Sequence, residues 1–210
     1  GAMSSLACST CPVRNSAACA ALADDERTRL AKLGRHREMK RGETLTAAGD
    51  NNPACATLLS GALKIVNYDR DGHEHILSLV HPAGFVGEMF APVAHYDIVA
   101  LTDSKLCVFS RSDYETAITE FPALAAALLR RSAEDLFETR ALMDLVGRRS
   151  AQAKVAGLLF ALAKAASHSP CHPASHFDLP LTRGEIADLL GLTIETVSRT
   201  FTKFRSEHLI

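Results

Sequence analysis

The chain has 210 residues, 47% of them hydrophobic and 22% charged, with a net charge of −1. That is the composition of a soluble globular protein with ample material for a core, and it shows no global basic excess that would announce nucleic acid. No stretch is long or apolar enough to span a bilayer and no secretory signal is visible, so a reducing cytoplasm is the expected compartment. Charge is unevenly placed. From Gly147 onward eight Lys/Arg stand against five Asp/Glu, a mildly basic C-terminal third on an acidic body, compatible with a small DNA-binding module.

In chain order, Gly1-Ala2-Met3 has the form of a scar from a cleaved expression tag and carries no fold information. Cys8, Cys11 and Cys19 then crowd the first nineteen residues. In a reducing compartment, clustered cysteines bind metal or do redox chemistry rather than build a disulfide scaffold. A Cys-x-x-Cys pair sets two soft thiolates around one metal or cluster. A third thiolate can close the same site, and a fourth ligand must come from elsewhere.

Residues 24–39 read as a short helix, with Asp24 and Asp25 at its start and Leu30 and Leu33 on an apolar face. Glycines then punctuate the chain at 49, 61, 72, 84 and 87. Short apolar runs lie among and beyond them: 56–59, 62–66, 75–80, 98–101 and 106–109. Short strands with Gly turns predict a sandwich or barrel, and Asp69-Arg-Asp-Gly72 predicts a hairpin turn. Cys55 directly precedes the first of these runs and reads as a small core residue.

From Ser110 the pattern is helical. Ser110 and Ser112 are candidate caps for a helix over 113–119, and Pro122 sits in the first turn of a longer one reaching about Val146. Within it Leu129, Ser132, Leu136, Thr139, Met143 and Val146 are spaced alternately by three and four. That is a heptad seam, packing either on its own β domain or on the same helix of a second subunit. Residues 150–165 form an amphipathic helix, and 166–180 a loop or short hairpin. The loop holds His168, Cys171, His172 and His176; zinc there is conceivable, but a polar loop is the simpler reading.

Thr182-Arg-Gly-Glu185 has capping-box form, and the helix it opens ends at Gly191. Thr193 caps a second helix with Ile194, Val197, Phe201 and Phe204 on its buried side. Two short helices joined by a tight Gly turn make a helix-turn-helix. Glu195, Ser198 and Arg199 share one face near the start of the second helix. These side chains suit base edges in a major groove; a solvated polar face is the alternative.

The string Leu181-Thr-Arg-Gly-Glu-Ile-Ala-Asp-Leu-Leu-Gly-Leu-Thr-Ile-Glu-Thr-Val-Ser-Arg199, with the glycine-punctuated β domain and the long helix, resembles the CRP/FNR family of bacterial transcription regulators. The resemblance implies an α+β fold. Residues 1–23 would be the tag remnant and a cysteine-rich cluster-binding loop, and 24–120 a jelly-roll-like β-roll sensor. Residues 121–146 would be the dimerisation helix and 147–210 a winged helix-turn-helix, its wing absent or truncated here. It also implies a non-enzymatic homodimer that binds palindromic double-stranded DNA of the TTGAT type and works with RNA polymerase.

The nucleotide-binding branch of the family holds a cyclic phosphate with a Gly-Glu pair and a following arginine. Gly87-Glu88 matches the first, but Ala94-His-Tyr-Asp97 offers no arginine, so no cyclic nucleotide is expected. The N-terminal cysteines resemble the FNR branch, which carries an oxygen-labile 4Fe-4S cluster on three N-terminal cysteines and one in the β-roll. By that resemblance the ligands are Cys8, Cys11, Cys19 and Cys107. Thr193 and Lys203 would join Glu195, Ser198 and Arg199 at DNA, with Lys203 on phosphate. The seven-residue gap from Cys11 to Cys19 is longer than in the best-known FNR type. Thr139 stands where that type has an acidic residue opposing pairing, so the cluster-free form here is expected to pair more readily. A smaller cluster, zinc or thiol switching, and more remotely a thiol oxidoreductase, are the alternatives.

Overall fold

The computed structural model describes residues 5–51, 53–167, 169 and 171–210. The tag remnant 1–3 and His168 lie outside the described residues. The chain divides into two compact units, residues 1–67 with 79–136, and 68–78 with 137–210.

Two short 3-10 turns, Cys8–Thr10 and Ala18–Ala21, precede helix α1 (Asp24–Leu33). Eight strands follow: β1 (Arg35–Met39), β2 (Thr44–Thr46), β3 (Ala54–Ser60), β4 (Leu63–Tyr68), β5 (Glu74–Val80), β6 (Phe85–Val86), β7 (Asp97–Ala100) and β8 (Ser104–Ser110). They form two four-stranded sheets, ordered β1-β8-β3-β6 and β2-β7-β4-β5. Then come α2 (Arg111–Glu120), α3 (Pro122–Val146), α4 (Ala151–Ala166), α5 (Arg183–Leu190) and α6 (Ile194–Ser206).

Side-chain alternation sorts the strands. On β8, Leu106 and Val108 enter the core between the sheets with Leu58, Leu63 and Ile98. Strand period two sends Cys107 and Phe109 to the opposite face. On β3 the same rule turns Ala56 and Leu58 inward and Cys55, Thr57 and Leu59 outward. Thr57 pairs with Cys107 across the ladder. A second apolar layer, containing Leu30, Phe109, Tyr114, Phe121 and Leu124, covers part of that outer face. Phe109 meets Tyr114 edge-on with ring centroids 5.0 Å apart.

The helix expected over 24–39 stops at Leu33, and 35–39 is β1, paired antiparallel with β8. Gly34 makes the break. A Cβ there would lie 2.5 Å from Cε1 of Phe109 and 2.7 Å from Cδ1 of Leu6. Leu33, placed on the apolar face by its spacing, is exposed, while Leu30 is buried. The Asp69–Gly72 turn forms as expected, with the Asp69 carboxylate accepting from the N–H groups of Asp71 and His73 at 2.8 and 3.0 Å. Ser110, not Ser112, caps α2, accepting from the Asp113 N–H at 3.2 Å. α3 begins at Pro122 and ends at Val146.

Gly34→Ala forces the Phe109 ring and Leu6 to move. We expect a loss of about 1–3 kcal/mol, as for other over-packed sites, read as a lower urea midpoint with an unchanged slope. An unchanged midpoint would show that this packing yields freely.

Candidate functional site

The outer face of β3 and β8 forms the floor of a pocket enclosing about 490 Å³, counting its open mouth. Thr57, Leu59, Cys107, Phe109 and Tyr114 line it from the β-roll side. Cys8, Cys11, Val13, Arg14 and Cys19 close it from the N-terminal loop, and Arg27 and Leu30 from α1. The three N-terminal cysteines and Cys107 therefore share one pocket. Cys55 lies on the same sheet face but is fully buried, its Sγ 3.7 Å from the Phe109 carbonyl, and burial pushes its thiol up to about 12. Cys171 is in an exposed loop.

The loop is seated by apolar contact and by arginines. Val13 and Ala17 pack with Leu59 and Ala83 in a buried cluster that touches Cys11, Cys19 and Cys107. Arg14 Nη1 donates to the Cys8 carbonyl at 3.0 Å, and Arg27 Nε to the Cys19 carbonyl at 3.3 Å. Asp24 Oδ1 lies 3.1 Å from Arg27 and 3.5 Å from Arg14. Sequence reasoning missed both arginines. Their signal was cationic residues close behind the cysteine motif.

Burial raises the Cys107 thiol above its ordinary range, and the nearby Cys8, Cys19 and Cys11 push the same way. Burial and Cys11 raise Cys8, with Arg27 and Arg14 pulling back. Cys19 is raised by burial, Cys11 and Cys8, against Arg27. Thiols shifted upward are poor nucleophiles. The same arrangement suits a metal, which deprotonates the thiols it binds.

Among the described residues, the one His/Cys/Asp/Glu trio whose ligand atoms lie within 4.8 Å of one another is Asp69, Asp71 and His73, exposed on the hairpin turn. No three cysteine sulfurs are that close. A tetrahedral zinc site, with Zn–S near 2.3 Å, would need sulfurs about 3.8 Å apart. A cluster whose irons each take a different thiolate spreads its ligands more widely, and four thiols from loop and strand are a donor set that could hold one.

In the second unit, α4, α5 and α6 pack on one another. The capping box forms as expected: Glu185 N–H donates to Thr182 Oγ1 at 3.1 Å, and Thr182 N–H to Glu185 Oε1 at 3.0 Å. Gly191 adopts the left-handed conformation, φ 64°, that ends α5. Thr193 caps α6, accepting from Thr196 N–H at 3.2 Å. Val197, Thr200, Phe201 and Phe204 are the buried face of α6, a helical period. Ile194, expected on that face, is exposed because its place in the first turn carries it past the edge of the packed stripe.

Thr193, at the cap of α6, and Glu195, Ser198, Arg199 and Lys203 along it are all exposed. Arg199 Nη2 donates to Thr196 Oγ1 at 3.3 Å, and Lys203 lies 3.7 Å from Glu207. Arg183, a residue missed in the sequence, stacks its guanidinium 3.4 Å from the Phe201 ring centroid at the start of α5. On α3, Leu129, Ser132, Leu136, Thr139 and Met143 are exposed and Val146 half-buried. Leu129 is 73% and Met143 70% accessible, so most of the seam lacks cover in a single chain.

Residues 179–210 match the family described as bacterial regulatory proteins, crp family, and residues 36–121 match the cyclic nucleotide-binding domain family. Over 206 residues the chain is 33% identical to the transcriptional activator protein FnrL of Cereibacter sphaeroides, spanning 97% of this chain and 83% of that protein. The chain belongs to the CRP/FNR family. It is also 34% identical over 203 residues to the nitrogen fixation regulation protein FixK of Bradyrhizobium diazoefficiens, covering 93% of this chain and 82% of FixK. The solved structure of FixK2 from Bradyrhizobium japonicum shares the fold, with a TM-score of 0.72 at 23% identity over 83% of this chain and 86% of that one. The chain is thus a DNA-binding transcription regulator of CRP/FNR type. In its cyclic-nucleotide-binding-like region, Glu88 is engaged internally. Its Oε1 accepts from the His95 N–H at 2.8 Å, and its Oε2 pairs with the His95 ring. No helix among the described residues is long and apolar enough to cross a membrane.

Proposed function

We propose that this chain is an oxygen-responsive transcription regulator in which Cys8, Cys11, Cys19 and Cys107 hold one 4Fe-4S cluster. The observation that carries the reading is the shared pocket, lined by three thiols from an N-terminal loop and one from a late strand of the β-roll. Bound there, the cluster supplies an oxygen-labile bridge between loop and sheet. Arg14 and Arg27 hold the loop by its carbonyls and offset the negative charge of the thiolates. While the thiolates are tied, Val13 and Ala17 stay seated on Leu59 and Ala83. When they are released, the loop is held by weaker contacts and the α3 seam loses its support. Two chains paired along α3 present two α6 helices to the halves of a palindrome, and one chain alone makes too few contacts. A cyclic nucleotide has no part in this reading. Glu88 is engaged with His95, and 94–97 supplies no arginine for a phosphate.

Protein purified without oxygen is expected to carry about four irons and four sulfides per chain. Cys107→Ser should abolish both, while Cys55→Ala and Cys171→Ala keep them. Iron content unchanged in Cys107→Ser removes that residue from the ligand set.

Leu136→Glu places a carboxylate on the seam, against its mate in a pair. Burying two like charges costs several kcal/mol, so light scattering should report a monomer even without oxygen. A persistent dimer would locate pairing elsewhere.

Arg199→Ala should weaken binding to a TTGAT-type palindrome by about 1–3 kcal/mol and narrow its preference over scrambled duplex. Lys203→Ala should weaken binding to both duplexes alike and flatten the salt dependence. Equal losses on both duplexes for Arg199→Ala would refute base reading by this helix face.

A further inference from the structure

The loop between Cys11 and Cys19 touches more than the sheet. Its residues 13–17 form a tight turn, in which the N–H groups of Ser16 and Ala17 both donate to the Val13 carbonyl, at 3.0 and 2.9 Å. The turn's donors are spent inward, and Val13 and Ala17 are buried. The Ser16 carbonyl remains as an acceptor. Arg131 Nη2, on α3, donates to it at 2.8 Å across 115 residues of sequence. Arg131 Nε is buried and has no hydrogen-bond partner among the described residues.

The position of Arg131 on its helix matters. It lies seven residues after Leu124, so the two share a face, and Leu124 is fully buried in the apolar layer under the helix. From Ser132 to Met143 every residue of α3 except Leu142 is exposed. Arg131 therefore grips the cysteine loop where the supported part of α3 gives way to the exposed part. Leu129, Ser132 and Leu136 present the seam at the same level, away from the face shared by Leu124 and Arg131.

Resting on the reading of cluster-dependent pairing above, we propose that Arg131 is the positioning residue that couples the cysteine loop to the pairing face of α3. With the loop fixed, the guanidinium spans loop and helix and holds this stretch of α3 in one pose. When the loop leaves, a half-buried guanidinium loses its protein acceptor. Nη2, at the exposed end of the guanidinium, then exchanges a charge-assisted bond to the loop for water. The tie between loop and helix is then gone, and the freedom this releases falls directly behind the seam. The coupling acts through a mechanical contact and touches neither thiolate nor DNA.

The test uses the full chain, purified without oxygen, as wild type, Arg131→Ala and Arg131→Lys. Visible absorption measures the cluster. Light scattering at several concentrations gives the dimer dissociation constant before and after air, and hydrogen exchange follows residues 12–18. Arg131→Ala should keep wild-type absorption yet exchange faster at 12–18 with the cluster in place. Its ratio of dissociation constants, after air to before, should fall by roughly tenfold relative to wild type. Arg131→Lys keeps one donor and should restore part of that ratio. If wild type changes mass on air and Arg131→Ala changes it by the same ratio with its cluster intact, Arg131 has no coupling role. If wild type shows no cluster, or a cluster whose loss leaves the mass unchanged, the proposed function itself fails and the coupling with it.

Discussion

Seating of the N-terminal loop on the outer face of β3 and β8 is the contact on which the proposed sensor depends. Val13 and Ala17 find a floor of Leu59 and Ala83, and that floor exists because strand alternation turns Leu59, Thr57 and Cys107 outward while Leu58, Leu106 and Val108 fill the core. Apolar seating of this size is worth only a few kcal/mol. It can hold a loop near the sheet without locking it. In the proposed reading, ligation of four thiolates would add a far stronger tie, and loss of that tie would change the balance. A loop weakly held by packing and strongly held by metal has the energetics of a switch.

The arginines give this region its second character. Arg14, Arg27 and Arg131 each donate to a loop carbonyl, at Cys8, Cys19 and Ser16 respectively. The loop is thus gripped by backbone acceptors at both ends and in its middle. Arg14 and Arg27 lie beside the thiols and lower the cost of concentrating negative charge there. Burial and the neighbouring thiols push the Cys107 thiol upward, which disfavours a free redox nucleophile; a metal bound there would draw off its proton.

Local signals in the sequence located what is locally determined. The Thr182–Glu185 capping box, the Gly191 turn, the Thr193 cap and the Pro122 start of α3 are each written within a few residues, and each forms. The strand β1, Arg-His-Arg-Glu-Met, was illegible because no apolar alternation marks it; its ladder to β8 makes it a strand. β2 and β6, at three and two residues, are too short to carry a period. Residue-level reading set Cys55 in the core and Cys171 in a polar loop, but nothing in it brought Cys107 to the N-terminal cysteines. Its choice as the fourth thiol came from family resemblance, and the pocket brings Cys107 beside the other three for a reason of strand register. Arg131 was out of reach, since its partner is 115 residues away and nothing local distinguishes it from a solvated arginine.

In the proposed function, one oxygen-labile cluster on four cysteines controls pairing. Sedimentation velocity recorded at both protein and visible cluster wavelengths, on one anaerobic sample and again after air, tests it most directly. Visible absorbance is expected to sediment with a dimer boundary. After air the colour fades and the protein boundary slows toward the monomer. Colour that sediments with a monomer, or a dimer boundary unmoved after the colour has gone, would contradict it.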